Sequence, residues 1–204
     1  MLPTFAVTPP EVSPPAVAPT ISCPSSVAAL ALPDWANAAD IRLQSKGLIV
    51  VLKGARRIFR TQAGEILRVG GKPACWPVGL GPNPTGHKQA EGDGKTPEGW
   101  YRSSDKPWSS FYKAIAVHYP NTTDAQKAQA EGRLDAQTVA QVRHAIRADR
   151  KPPQTTPVGG EILIHGGGGS TDWTLGCIAM DNASLDTLRS TLSSDMVTDV
   201  LILP

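Results

Sequence analysis

The chain is poor in exactly the features that would assign it quickly to a membrane, a metal or a nucleic acid. No Lys or Arg precedes Arg42, and eight prolines interrupt positions 1–33. The pattern of a secretory signal, a positive start followed by an apolar core of about 7–15 residues, is therefore missing. No uninterrupted apolar stretch approaches the roughly 18 residues of a membrane-spanning helix, so none is expected. Only three cysteines and four histidines occur, with no paired Cys or His spacing, which argues against a closed zinc shell. Neither a metal nor any other cofactor is expected. The net charge is only +2, and the basic residues are scattered rather than gathered into a phosphate-tracking stripe; nucleic acid is not an expected partner.

What the chain does have is 204 residues, 40% of them apolar, enough for one domain with a buried core plus some extra. Residues 1–39, rich in proline and free of basic charge, read as an extended, disordered leader or linker. Beyond them, short apolar runs at 41–43, 48–52, 57–60, 65–69, 75–80, 99–102 and 114–119 are punctuated by glycine and proline. The runs at 57–60 and 65–69 flank Gln62-Ala63-Gly64 and read as a hairpin. Cys75, inside an apolar run, reads as a small buried residue; a Cys23–Cys75 bridge would leave Cys177 free but rests on arithmetic alone. Strands this short and this frequent predict a mainly β barrel or sandwich spanning 40–204.

Residues 122–151 differ. Alanine, glutamine and arginine dominate, and Gly132 divides the segment into two helices. Asp135 is placed to cap the second, with Leu134 and Val139 as a hydrophobic staple, and Val139, Val142 and Ile146 form a thin apolar stripe. This predicts a helical insertion packed on the β core, and Gly159-Gly160 a hinge that would let it close over a cleft. The β pattern returns at 161–165 and 177–180, a helix follows over 183–192, and 197–203 is a last strand.

The chemistry concentrates in Ile162-Leu163-Ile164-His165-Gly166 and Asp172-Trp173-Thr174-Leu175-Gly176-Cys177-Ile178-Ala179-Met180. Side chains alternate along a strand, so His165 ends an apolar strand, and Gly166 to Gly169 let the chain double back and set Cys177 beside it. A thiolate, not a thiol, is the nucleophile, and an imidazole within reach can take the proton. Gly166 and Asp172 are alternative orienting partners for His165, the former through its carbonyl. Gly176 keeps the space beside the sulfur clear, and the N–H groups of Gly176 and Cys177 would face an oxyanion. A cysteine in an apolar run, or a lone strand histidine, is most often structural; their joint occurrence across a glycine loop favours catalysis.

His-Gly at a strand end, followed by Gly-Cys-Ile-x-Met and then an Asn, resembles the catalytic domain of the L,D-transpeptidases, the YkuD-type family. Gly92-Asp93-Gly94-Lys95-Thr96-Pro97-Glu98-Gly99 resembles that family's Thr-Pro-x-Gly segment. The resemblance implies a β-rich fold, Cys177 as acyl-accepting nucleophile, His165 as base, and an active-site loop containing Gly166, Leu175 and Gly176. It further implies peptidoglycan stem peptides as partners, cleavage through a thioester, and resolution by an amine (transpeptidase) or by water (carboxypeptidase or amidase). A location in the periplasm, the cell envelope or outside the cell follows from it, and a monomer is expected. Two departures matter: Thr174-Leu175 and Ala179 stand where the family commonly has Ser-His and Arg. The Asp-Trp-Thr-x-Gly-Cys-Ile-Ala form thus resembles a distinct subgroup. Substrate contacts are then sought at Asp172, Trp173, Thr174, Lys95, Thr96, Arg133 and Arg189. The alternatives are a sortase-like cysteine transpeptidase, which would use His118 and Arg189, and a non-catalytic wall-binding domain.

Overall fold

The computed structural model describes residues 23–204; the part of the expected leader at 1–22 lies outside them. The fold is mainly β, a mixed sheet curled into a half-barrel with a few helices. Its strands are β1 (Leu48–Leu52), β2 (Arg57–Gln62), β3 (Glu65–Ile66), β4 (Arg68–Val69), β5 (Lys72–Pro73) and β6 (Cys75–Pro77), then β7 (Gly99–Lys106), β8 (Ala114–Val117), β9 (Leu163–His165), β10 (Ile178–Ala179) and β11 (Asp199–Leu203). The main sheet runs β10-β9-β8-β7-β11-β1-β2-β3, with β6 also paired to β2, while β4 and β5 form a separate ribbon. Two of its pairings are parallel, β1 with β11 and β9 with β10.

The all-apolar run Leu48-Ile49-Val50-Val51 explains the layering. Alternate side chains leave opposite faces of a strand, so the run feeds two cores at once. Ile49 and Val51 join Ile58, Val200 and Ile202 in the larger core, while Leu48 and Val50 join Phe59, Leu201 and Leu203 in the smaller one.

The smaller core is covered by residues the sequence assigns to a linker. Val27 and Ala36 are buried there, with Leu30 and Leu32 packed alongside, and Leu43, just beyond the segment, joins them. The described part of the Pro-rich segment, 23–39, is thus laid on the sheet rather than extended from it. A Cys23–Cys75 disulfide fastens its start to β6, so Cys75 is a bridge and not simply a small buried residue. The run at 41–43 is not a strand but part of a 3-10 helix, Ile41–Gln44, because the Asp40 carboxylate accepts the Arg42 N–H (2.9 Å) and caps it.

The insertion forms α1 (Thr122–Ala130) and α2 (Ala136–Arg147). Asn121 and Asp124 make a reciprocal capping box on α1, and Asp135 accepts the Thr138 N–H on α2 (2.6 Å). The stripe of α2 does not pack on the β core as expected. Val139 and Val142 meet Ala125, Ala128, Leu134 and Val158 in a small core of their own, built because small alanines let the two helices approach. The last helix, α3 (Asn182–Ser190), is capped by Asp181 and sends Leu185 and Leu188 into the larger core.

Candidate active site

The short parallel pair β9–β10 places the two chemically important side chains. Ala179 lies opposite His165 and Ile178 opposite Ile164, which sets Cys177 one step earlier, level with Leu163. The two-residue period then gives Cys177 and His165 the same face. Both line a cavity of about 260 Å³ together with Phe111, Glu161, Ile162 and Trp173.

His165 is buried, and its Nδ1 lies 2.6 Å from the Gly166 carbonyl oxygen. A carbonyl only accepts, so Nδ1 carries the proton and Nε2 of the neutral ring holds the lone pair. Burial lowers the pKa of the ring, partly offset by that hydrogen bond, so the neutral form dominates near pH 7. Phe111 lies against the imidazole (ring centroids 4.8 Å apart) and Trp173 meets it edge-on at 5.5 Å. Trp173 is itself held by an indole N–H donated to the Gly168 carbonyl (3.0 Å).

The Cys177 sulfur is partly buried. It accepts the Leu163 N–H and donates its S–H to the Glu161 carbonyl, both at 3.4 Å. Burial pushes the thiol up to about 11, with the Leu163 N–H pulling the other way. The resting group is a protonated thiol.

Gly176 is required where it stands. Its φ is +122°, and a Cβ would lie 2.5 Å from the Lys95 carbonyl oxygen. Its N–H donates to Thr174 Oγ1 (3.2 Å), and the same hydroxyl donates to the Cys177 carbonyl (2.8 Å). Thr174 therefore braces the turn from inside, which leaves Cys177 N–H as the amide of this pair not engaged by a side chain. Leu175, at the apex, is 81% exposed.

The remaining sequence candidates disperse. Asp172 does not reach toward His165: it pairs with Arg56 (2.6 Å) and accepts the Leu80 N–H (2.8 Å), tying the loop to the β1–β2 turn. Lys95 is turned toward a separate surface hollow beside Pro82 and Thr85, and Thr96 is fully buried, its carbonyl accepting from Lys53 Nζ (2.9 Å). Arg133 binds Glu131 and the Gln89 carbonyl. Arg189 bridges Asp105 (2.8 Å) and the Ala114 carbonyl (2.7 Å). None of these five lines the cavity. His118, the histidine a sortase-like arrangement would need, is buried against Ser104 (2.9 Å), with burial lowering its pKa to about 4, and it lies outside the cavity. Helices α1 and α2 contribute nothing to the lining either, so the insertion is not a lid over this cleft. Sequence reasoning missed Phe111, Lys88, Glu91 and Glu161. Only Glu161 had a signal, standing at the mouth of the strand that ends in His165. Among the described residues, no group of three His, Cys, Asp or Glu side chains is disposed to hold a metal ion.

The family description "L,D-transpeptidase catalytic domain" (YkuD) matches residues 46–202. Among solved structures, the helical cell shape determining protein Pgp2 from Campylobacter jejuni is similar at 23% identity, covering 79% of this chain and 51% of that one, with a TM-score of 0.50. A K307A mutant of the same protein gives 22% identity over 78% of this chain and 47% of that one, with a TM-score of 0.51. The chain thus spans about half the length of these relatives, and at such identity the likeness bears on the fold alone. A comparison with curated protein sequences finds no match.

Proposed function

Because the chain belongs to the YkuD family of L,D-transpeptidase catalytic domains, we propose that it is a cysteine acyl-transfer enzyme acting on peptidoglycan stem peptides, with Cys177 as nucleophile and His165 as general base. The observation that carries this reading is the sharing of one cavity by a free thiol and by an imidazole whose Nδ1–H is held by a backbone carbonyl.

The chemistry follows from those protonation states. The S–H turns from the Glu161 carbonyl toward Nε2, which takes the proton as sulfur attacks the substrate carbonyl carbon. A neutral base and a high-pKa thiol suit concerted transfer: the thiolate develops only during attack, rather than resting as an ion pair. The tetrahedral oxyanion is met by Cys177 N–H. Collapse breaks the C–N bond; the departing amine takes the proton from His165, and a thioester remains on Cys177. An amine of a second stem peptide, or water, then attacks the thioester, gives up its proton to His165, and the thiol is restored. The ring stays in place throughout because Gly166 and Phe111 fix its orientation.

A disulfide in a domain of this kind is favoured in an oxidising compartment, which supports the cell envelope or the exterior as its location. No helix among the described residues is long and apolar enough to cross a membrane.

The test is incubation with tetrapeptide muropeptides followed by mass analysis. Loss of one D-Ala marks carboxypeptidation, a cross-linked dimer marks transpeptidation, and a Cys177-linked acyl adduct is expected in either case. Turnover retained by Cys177→Ala would overturn the proposal.

A further inference from the structure

Arg60 is a buried cation without a counter-charge. It stands on β2 opposite Ile49, so its side chain leaves the sheet on the face of the larger core. The residue is only 7% exposed, yet no carboxylate pairs with it among the described residues. Its Nη1 donates to the Thr61 carbonyl (2.5 Å), while Nε has no hydrogen-bond partner there and Nη2 donates to none of the described groups. Burial lowers its pKa and no carboxylate raises it again, but a guanidinium keeps its proton in any case. A buried charge left uncompensated is costly, and arginine is seldom buried unless paired.

The guanidinium is nevertheless held in a defined place. A Cβ on Gly47 would fall upon it, so the fork occupies the space that any side chain at 47 would need. The Gly47 carbonyl accepts from both Ser45 Oγ and Thr198 Oγ1 (each 2.9 Å), which fixes the peptide against which the fork rests. These residues line a hollow of about 320 Å³, together with Lys46, Arg102 and Asp199. Arg102 and Asp199 offset each other (3.4 Å), and Arg102 also binds Asp149 (2.9 Å). Lys46 is exposed and has no ion-pair partner among the described residues. Two positive charges thus stay unmatched in one hollow, and none of its lining residues belongs to the cleft around Cys177.

We propose that this hollow is an anion site, separate from the thiol cleft, which takes a phosphate group on the Arg60 fork with Lys46 as the second charge. Arginine presents its N–H groups in a planar array that matches phosphate oxygens, and charge-assisted bonds of this kind are the stronger class. A phosphate dianion answers both unmatched cations, whereas a carboxylate answers one. The bound anion supplies the partner that Arg60 lacks. Nothing in the acyl-transfer chemistry is needed for it. The phosphate comes either as a soluble ester or as the headgroup of an anionic lipid, and the same groups recognise both.

The experiment is titration calorimetry of the full chain with inorganic phosphate and with acetate, at about pH 8 where phosphate is largely dianionic. Wild type should bind phosphate about tenfold more tightly than acetate. Arg60→Met removes a charged donor and should weaken phosphate binding about tenfold or more. Lys46→Met, an exposed change that leaves the fold intact, should weaken it about threefold. Absence of phosphate binding in wild type, acetate bound as tightly, or an unchanged affinity in Arg60→Met overturns the proposal. Where Arg60→Met does not fold, Lys46→Met decides, and an affinity equal to wild type then overturns it. Sedimentation with phosphatidylglycerol vesicles separates the two sources. Binding to them that Lys46→Met weakens identifies a lipid headgroup, and phosphate binding without vesicle binding identifies a soluble ester; both uphold the site.

Discussion

At Cys177, burial and reactivity oppose each other. The sulfur is held by Leu163 and Glu161, and its pKa of about 11 means that only a minute fraction is thiolate near pH 7. Alkylation of the free protein by iodoacetamide should therefore be slow at neutral pH. It should rise about tenfold per pH unit and level off only near pH 11, instead of near the roughly 8.5 of an ordinary cysteine. A plateau at or below pH 8 would show a resting thiolate–imidazolium pair instead. Cys177 and His165 were legible in the sequence because a strand period and a glycine loop are local patterns. Phe111 and Glu91 were not, since they reach the cleft from loops remote in sequence, and nothing in their own neighbourhoods marks them. Asp172 and Arg189 misled for the opposite reason: charges near a catalytic motif suggest substrate contacts, yet both are consumed by internal pairs with Arg56 and Asp105.

Among the elements, α1 carries an unusual capping residue. Asp124 is almost buried, and burial raises its pKa to about 7, against hydrogen bonds from Asn121 N–H and Tyr101 O–H that pull it down. A raised folded-state pKa means that the native state binds the proton more tightly than the unfolded chain does. Its stabilising contribution is complete below the ordinary value of 3.8 and is lost as pH rises through 7. Relative to Asp124→Asn, the wild type should lose on the order of 4 kcal/mol between pH 4 and pH 8, measured as the difference between their urea unfolding curves. A difference independent of pH would mean that Asp124 is ionised throughout. Of the caps, that of α2 at Asp135 was readable from sequence, as was the division of the two helices at Gly132; the box of Asn121 and Asp124 was not. What α2 packs against was not: a narrow stripe of Val139 and Val142 looks the same whether its partner is a sheet or the alanines of a neighbouring helix.

For the molecule as a whole, the sequence showed a β-rich domain but not its true boundary. Proline density made 1–39 look like linker, whereas Val27, Leu30 and Leu32 supply the apolar cover of the smaller core. Their signal was diluted by the prolines between them. The Cys23–Cys75 bridge closes a loop over a separation of 52 residues. Replacing Cys75 by Ser should cost about 3–4 kcal/mol and lower the thermal midpoint by roughly 10 °C, with turnover at room temperature retained because the cleft is lined from elsewhere. An unchanged midpoint would mean that the packing of Val27 and its neighbours alone holds the segment. The same bridge also decides where mechanical load enters. Tension applied ahead of Cys23 passes through the sulfurs into β6 and β2 without peeling away the segment that follows, and tension on the opposite end draws on β11, clamped between β1 and β7. A domain pulled at its two ends would thus take up strain through its sheet, leaving the short β9–β10 pair that carries the thiol outside the line of force.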